Sequence, residues 1–598
     1  MKKTVRILSL VLACMMMLVS VPASADYWQL PADTADIISE LSPKNGDPIK
    51  LTAYSQLANY SGVQTGWGAT LLRDLFNVEL NIVPDQDGTY ETRMNSGNLG
   101  DLVIWGSNGA DYQKAVAADM LFDWEEDWGD GKLIDIYAPY VAANYTDALE
   151  SNRKINGNGK VLGYGFGVAF TTGAHQSFMY SWDLRWDLYK QLGYPDIKNL
   201  DDLVGVFKQM KEICPTDDRG NETYAVSVWP DWDGNMVMYV KALATAYYGL
   251  DELALGHYNP QTGEFYDCLA EDSPYIEMLK FFNRLYRENL LNPNSMTQTY
   301  EQASEKLKNS GTFWSIFNYA GSMAYNTDAH MADGKYMYAR VPDEASPIVY
   351  GLGSCGGNRI WTIGSKTEYP ELCLAIMDYL STPEGSMTMW YGPKGLMWDY
   401  NEQGGMYFTE LGMACSNDSK YDLSGVEWVS PYTGKSYTLS GNFNDGCIQI
   451  NNVTLNKDFV NPDPESKLGE AFNKDTWVSV VTANTYPIQD DWRAWSGHTL
   501  ADQYMETKPY LVAPDVPYAE SAKSTELEVA WSQVTNTITT YSWRCMFAKS
   551  EGEFNFHLGE MRKMCKNYGY DDCVEWSKGE AAIKWALTCD MYDMGAAK

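Results

Sequence analysis

The sequence predicts an α/β protein in two large lobes, and three observations predict it. Short apolar or alternating runs are interleaved with amphipathic runs of helical period, the order that builds a mainly parallel sheet with helices on its faces. The chain has 598 residues, more than one hydrophobic core usually organises. A second series of strand and helix signals begins near residue 176, after the first has ended.

Residues 1–25 read as a secretory leader. Lys2, Lys3 and Arg6 make a basic start, residues 7–21 are almost wholly apolar, and Ala23-Ser24-Ala25 offers a small-x-small cleavage site before Asp26. The alternative is a lipid-anchoring cysteine, Cys14, in Val11-Leu12-Ala13-Cys14. The apolar run continues past it to Leu18, where a lipoprotein turns polar, so cleavage after Ala25 is expected. No later stretch is long and apolar enough to cross a bilayer.

After a polar lead-in at 26–47, residues 48–56 (PIKLTAYSQ) read as a strand, 66–77 as a helix, 78–84 as a strand and 89–96 as a helix. Residues 101–106 (DLVIWG) form the third strand, an apolar run of the kind buried in parallel sheets. In the second series, 176–182 is a strand and 183–193 a helix. The helix at 199–213 has Asn199 as its N-cap, with Leu203, Val206, Phe207, Met210 and Ile213 on one face. Residues 224–230 read as a strand and 259–266 as a hairpin tip. Residues 273–290 form a helix capped by Ser273 with Pro274 at its first position. Strands follow at 311–317 and 358–364, and a helix at 369–385; from 399 to 521 the chain is loop-rich, and helices return from Leu527. These elements place lobe 1 at 48–177 plus about 362–430, and lobe 2 at 178–361 plus about 470–598, with 399–521 of uncertain assignment.

Composition narrows the function. The chain carries 45 basic and 79 acidic residues; three basic ones lie in the leader, so the mature chain has 42 and 79, a net charge of −37. That field repels nucleic acid and anionic lipid. The ten cysteines after residue 25 show no C-x-x-C pair and no zinc-type spacing with histidine, and they are too sparse for a disulfide scaffold. Tyr (42) and Trp (21) far outnumber Phe (18), a bias toward rings with a polar handle that suits half-wet surfaces.

Signatures of catalysis are missing: no G-x-S-x-G, H-E-x-x-H, P-loop or dinucleotide fingerprint occurs. Carboxylates are plentiful, but spacing alone pairs none of them into a glycosidase site. Three acidic loops resemble cation loops: Asp85, Asp87 and Glu91; Asp217, Asp218, Asn221 and Glu222; and Asp231, Asp233 and Asn235. None completes a twelve-residue calcium loop, and turn chemistry accounts for each. No cofactor and no metal are expected.

The tryptophans are the remaining signal. Trp105 closes the third strand and is followed by Gly-Ser-Asn-Gly. Trp229 and Trp232 lie just past the strand at 224–230, Trp314 lies in the strand at 311–317, and Trp67 stands between two glycines opposite the end of the first strand. Ligands of open α/β sheets bind outside the carboxyl ends of the strands. Exposed indoles gathered there from both lobes would line a cleft.

At these residues the sequence resembles the extracellular solute-binding proteins, family 1, of ABC importers, in their LipO-like carbohydrate branch from Gram-positive bacteria. The segments that carry the resemblance are YETRMNSGNLGDLVIWG, YSWDLRWDLYKQLGY with NLDDLVGVFKQMKE, YIEMLKFFNRLYRENLLNPNSMTQTYEQASEKLKNSGTFW, YPELCLAIMDYLSTPEGSMTMWYGPKGLMWDY and HLGEMRKMCKNYGYDDCVEW. The resemblance covers most of the mature chain. It implies a type II periplasmic-binding-protein fold, two α/β lobes closing on a ligand about a hinge. It also implies an oligosaccharide ligand, ABC permease subunits as partners, a monomer at the cell surface, and no catalysis. A binder of peptide or another solute, or a secreted glycan-active enzyme, are the alternatives. In such a cleft Trp67, Trp105, Trp229 or Trp232, and Trp314 would meet the C–H faces of sugar rings. Ser107, Asn108, Asp231 and Asn318 would meet the hydroxyl belt. The branch often carries a calcium loop; CPTDDRGNETYAVS is a shortened, altered version, so calcium binding does not carry over.

Overall fold

Strand β1 (Ile49–Ser55) is the axis of the first lobe. The computed structural model describes residues 27–592 except 30, 87, 171–173, 451–453, 484, 517 and 519; the expected leader and Asp87 lie outside the described residues. β1 pairs in parallel with β3 (Val78–Pro84) and β4 (Leu102–Trp105), while the short β2 (Gly62–Val63) folds back on β3. Strand Ile360–Ile363 then enters antiparallel between β4 and β5 (Gly163–Gly165), with Ile360 opposite Trp105. All four residues of β4 are buried, because the sheet is covered on both faces. Leu102 and Ile104 enter one core, Val103 and Trp105 the other.

The second lobe is built on β6 (Tyr180–Arg185), flanked antiparallel by strands Trp314–Phe317 and Met337–Ala339. Helices Leu200–Ile213, Met238–Tyr248 and Pro274–Arg287 pack around it, joined by Thr525–Met546 and Glu551–Asn567 near the end of the chain. Asn199 caps the first of these through the N–H groups of Asp201 and Asp202. Each lobe is therefore α/β with its own core.

Several sequence expectations change. The lobe 1 core does not stop at 430: Leu439, Leu455, Phe459, Phe472 and Trp477 belong to it, and the lobe 2 core resumes only at Ile488. The region 399–521 is more regular than expected, with paired strands Trp398–Tyr400 and Met406–Phe408, and helices Glu410–Asn417 and Pro487–Ser496. Elements this short leave little periodicity to read.

β6 runs to Arg185, into residues expected to be helical. Their charges are buried in the sheet, Arg185 being held by both carboxylate oxygens of Asp187 at 2.8 and 2.7 Å. Residues 224–230 make only isolated bridges, Tyr224 with Thr312 and Val226 with Leu291. The helix expected at 369–385 breaks at Thr382, whose hydroxyl caps Gly385 N–H just before Pro383 starts the next helix.

Candidate functional site

Strand register locates the cleft. In lobe 1, Ile360 lies beside Trp105, so the carboxyl end of β4 meets the point where the chain returns from lobe 2. In lobe 2, Phe317 lies beside Tyr180, so the end of that strand meets the point where the chain arrives. The run 224–228 travels parallel to the same strand and ends on the same edge. Both edges face the crossings, where ligands of such sheets bind.

The first two crossings form one ribbon. Gly357 N–H donates to Phe166 O at 2.7 Å, Phe166 N–H to Arg359 O at 2.9 Å, Leu352 N–H to Ala174 O at 2.8 Å and Gln176 N–H to Tyr350 O at 2.8 Å. The approach requires glycine. A Cβ on Gly165 would collide with the Gly357 carbonyl, and Gly356 adopts φ +72° against Gly165.

Two cavities adjoin this ribbon. One of about 300 Å³ lies among Asn108, Asn152 and Asn156 of lobe 1, residues 353–358 of the ribbon, and Asp515, Val516 and Met591. The other, about 380 Å³, shares Asp515 and Val516 with it and is bounded by Gln176, Asp251, Glu252, Tyr350 and Lys584. Its charges are paired: Lys584 to Asp251 at 2.6 Å, and Lys241 to Glu252 at 2.7 Å. Burial holds the carboxyls of Glu252 and Asp515 above their ordinary range, with the neighbouring lysines acting against it. Tyr350 donates to Asp251 at 3.1 Å, and burial pushes the phenols of Tyr350 and Tyr180 well up.

The residues nominated from sequence divide sharply. Trp105 is fully buried, its Nε1–H given to Thr362 Oγ1 at 3.0 Å and its ring set edge-on among Tyr54, Tyr90 and Tyr112. Trp67 is buried on Phe443, donating to its carbonyl at 3.0 Å. Trp314 packs on Trp182 and Phe207 inside lobe 2. Trp229 is buried beneath the surface, against Tyr239 and Tyr300. None of these four presents a face to the cleft. Side chains alternate along a strand, so Trp105, at the last position of a strand in a doubly covered sheet, still points into a core; Trp67 lies on the helix Gly66–Phe76, and Trp314 opens its strand rather than closing it.

Trp232 differs: it is 46% exposed. One side of its ring rests on Tyr300 at 4.6 Å, tilted by 33°, and Tyr319 stands 6.0 Å away. Asp231 fastens this shelf, accepting from Tyr300 N–H at 2.8 Å. Asp233 is held by Met238 N–H and by Trp543 Nε1–H at 2.6 Å, and burial raises its carboxyl to about 6. The oxygens of this acidic loop thus serve as loop fasteners. Asp217 likewise accepts from the N–H groups of Arg219 and Asn221.

Asn318 lies beside the first crossing, its N–H given to Met179 O. Ser107 is exposed, accepting from Gly109 N–H, and Asn108 donates to Asn156 Oδ1 at 3.1 Å on the cavity wall. Tyr300, Tyr319, Tyr350 and the ribbon run 353–358 were not nominated. The available signals were a tyrosine directly after Asn318, and the density of glycine in YGLGSCGGN.

A family model described as bacterial extracellular solute-binding protein matches residues 72–387. No curated protein matches the chain in sequence. Among solved structures, an HMO-binding, ABC-transporter-associated solute-binding protein from Bifidobacterium longum infantis is 12% identical, with 90% of this chain and 99% of that one covered and a TM-score of 0.47. An extracellular solute-binding protein from Bifidobacterium longum subsp. infantis is 13% identical, with coverage of 91% and 99% and a TM-score of 0.46. The N-glycan transport solute-binding protein NgtS from Streptococcus pneumoniae is 12% identical, with coverage of 90% and 99% and a TM-score of 0.44.

Proposed function

Because this chain belongs to the family of bacterial extracellular solute-binding proteins, we propose that the solute captured between its lobes is an oligosaccharide, delivered to the permease of an ABC importer. The half-exposed indole of Trp232, backed by Tyr300 and Tyr319 at the cleft edge of lobe 2, carries this reading. An indole offers an apolar plate to the C–H face of a pyranose, while the ring's hydroxyls remain directed outward. Asn108, Asn156, Asn318 and the tyrosines of the lobe 2 wall are short or rigid polar groups suited to those hydroxyls.

Capture proceeds by closure about the ribbon formed by 166–170, 174–176 and 350–359, which brings the asparagine wall of lobe 1 toward the aromatic wall of lobe 2. The reading assigns no catalytic residue. It places the protein as a monomer at the surface of a Gram-positive cell, exported by residues 1–25 and released by cleavage after Ala25.

The test is calorimetry and thermal shift of the full mature chain against neutral and acidic oligosaccharides. A cognate sugar at 100 times its Kd stabilises the fold by about 2.7 kcal/mol and is recovered unchanged. Small-angle scattering should show a more compact molecule with ligand. Appearance of a cleaved product overturns the binding reading.

A further inference from the structure

The cavity beside the ribbon is closed in a way that bears on which part of an oligosaccharide enters it; the inference rests on the oligosaccharide reading above. Its floor is backbone against backbone. Gly165 and Gly356–Gly357 approach so closely that neither side has room for a Cβ, so nothing the width of a sugar chain passes through the ribbon. On one side stand the helix Thr146–Ser151 and the π-turn Asn152–Asn156, contributing Asn152, Ile155 and Asn156. On the other stand Asp515, Val516 and Met591, the last from the final turn of the terminal helix Tyr570–Tyr592. The second cavity, which shares Asp515 and Val516, runs past Tyr350 to Glu252, whose charge is felt by Tyr319, the neighbour of Trp232 on the shelf.

We infer that the ligand binds end-on: its terminal sugar fills the cavity beside the ribbon, with the terminal helix as one wall, and the rest of the chain runs out over the aromatic shelf. A volume of about 300 Å³ is at the small end of ligand sites, which span roughly 300–1,000 Å³, and suits one ring rather than several. An internal sugar has chain leaving from two positions, and the closed ribbon stands across one side of this cavity. The two regions also differ in chemistry. The cavity has no aromatic ring in its wall and is lined by amides, with Ile155, Val516 and Met591 as apolar patches. A terminal ring carries one hydroxyl more than an internal ring, and needs polar partners around its rim. The Asn108–Asn156 pair supplies them: the two amides bond to each other, and among the described residues neither makes another side-chain hydrogen bond. The trailing sugars present their faces, which the Trp232 shelf meets.

The experiment uses the full mature chain and a panel of linear neutral oligosaccharides, each with a reducing end: maltoheptaose, cellohexaose, xylohexaose and mannohexaose. Any that bind are compared with two derivatives, one carrying 2-aminobenzamide at the reducing end, the other blocked at the far end by an acetal or acyl group. End-on binding predicts that one block lowers affinity by about thirtyfold or more, and that the other changes it less than about threefold. If both blocked forms bind as well as the parent, the cleft reads internal sugars and the inference falls. If both blocks abolish binding, the shelf is not an open exit and it falls as well. Binding of no sugar in the panel overturns the oligosaccharide reading and this inference together. Separately, Met591→Trp should fill the cavity and weaken the parent sugar by about tenfold or more, with the melting temperature within about 2 °C of the parent. An unchanged affinity removes the terminal ring from beside Met591.

Discussion

Trp105 gives its indole N–H to the hydroxyl of Thr362, 3.0 Å away on the neighbouring antiparallel strand. Thr362 in turn donates to Val103 O at 2.9 Å, so the ring is tied into the middle of the lobe 1 sheet. Three tyrosine rings stand edge-on around it. The strand end meets the cleft, but this side chain turns away from it.

Trp105→Ala should therefore behave as a core truncation. The expected loss is about 3–5 kcal/mol of ligand-free stability, with affinity nearly unchanged in the protein that remains folded. Urea denaturation and calorimetry on the same variant check it. A stable variant with weakened binding would return Trp105 to the cleft.

Trp232→Ala should do the opposite. Its ring is half exposed and leaves no internal void, so stability should change by less than about 1 kcal/mol. Loss of the apolar plate should cost about 1.5–3 kcal/mol of binding, a tenfold to hundredfold rise in Kd.

Alternating strands and helices indicated the α/β lobes, and the strand-end rule led to the edges proposed as the cleft. Whether a ring at such an edge faces the ligand depends on the phase of the strand and on what covers the sheet, which one sequence does not encode locally. Trp105 sits on a strand and points inward; Trp232 lies past Pro230, in a loop, and points out. Tyr300 reaches the shelf from a helix nearly seventy positions away, and Met591 reaches the cavity from the end of the chain. Such meetings are products of tertiary packing.

Burial raises the Asp183 carboxyl to about 7, despite the Ser322 N–H donated to it at 2.6 Å. Unfolded, it titrates near 3.8. The native state thus holds an extra proton between those values. The associated stability is complete below about pH 4 and is lost as pH rises through 7. Asp183→Asn should raise stability at pH 8 by up to about 4 kcal/mol, the worth of roughly three pKa units, and change it little at pH 4. Asp378, also raised to about 7 by burial, remains in that variant, so the pH slope should shrink rather than vanish. Melting curves at pH 4, 6 and 8 decide it; an unchanged slope would mean that Asp183 is ionised in the fold.

Gly356→Ala should damage the ribbon. The residue holds φ +72°, and its new methyl would press on the Gly165 carbonyl. A left-handed backbone alone costs about 1–2 kcal/mol for a non-glycine residue. The expected outcome is a lower denaturant midpoint together with weaker ligand binding, because the cavity floor shifts.

Secreted protein should begin at Asp26, as the Ala23-Ser24-Ala25 site implies. N-terminal sequencing settles it; a mature chain starting at a lipidated Cys14 would overturn the cleavage site.

Strand Ile360–Ile363 lies between β4 and β5, yet it is synthesised roughly two hundred residues after β5, once the first part of lobe 2 has been made. Until it arrives, β4 and β5 each expose an unpaired edge facing the vacant slot. Lobe 2 waits in its turn for helix Thr525–Met546, which packs against Pro274–Arg287. Neither half can finish on its own stretch of sequence, so the nascent chain passes through a long interval with sheet edges open to wrong partners. For a chain exported as proposed above, the same interdependence keeps it threadable: the two interleaved cores close only when nearly all of it has crossed the membrane.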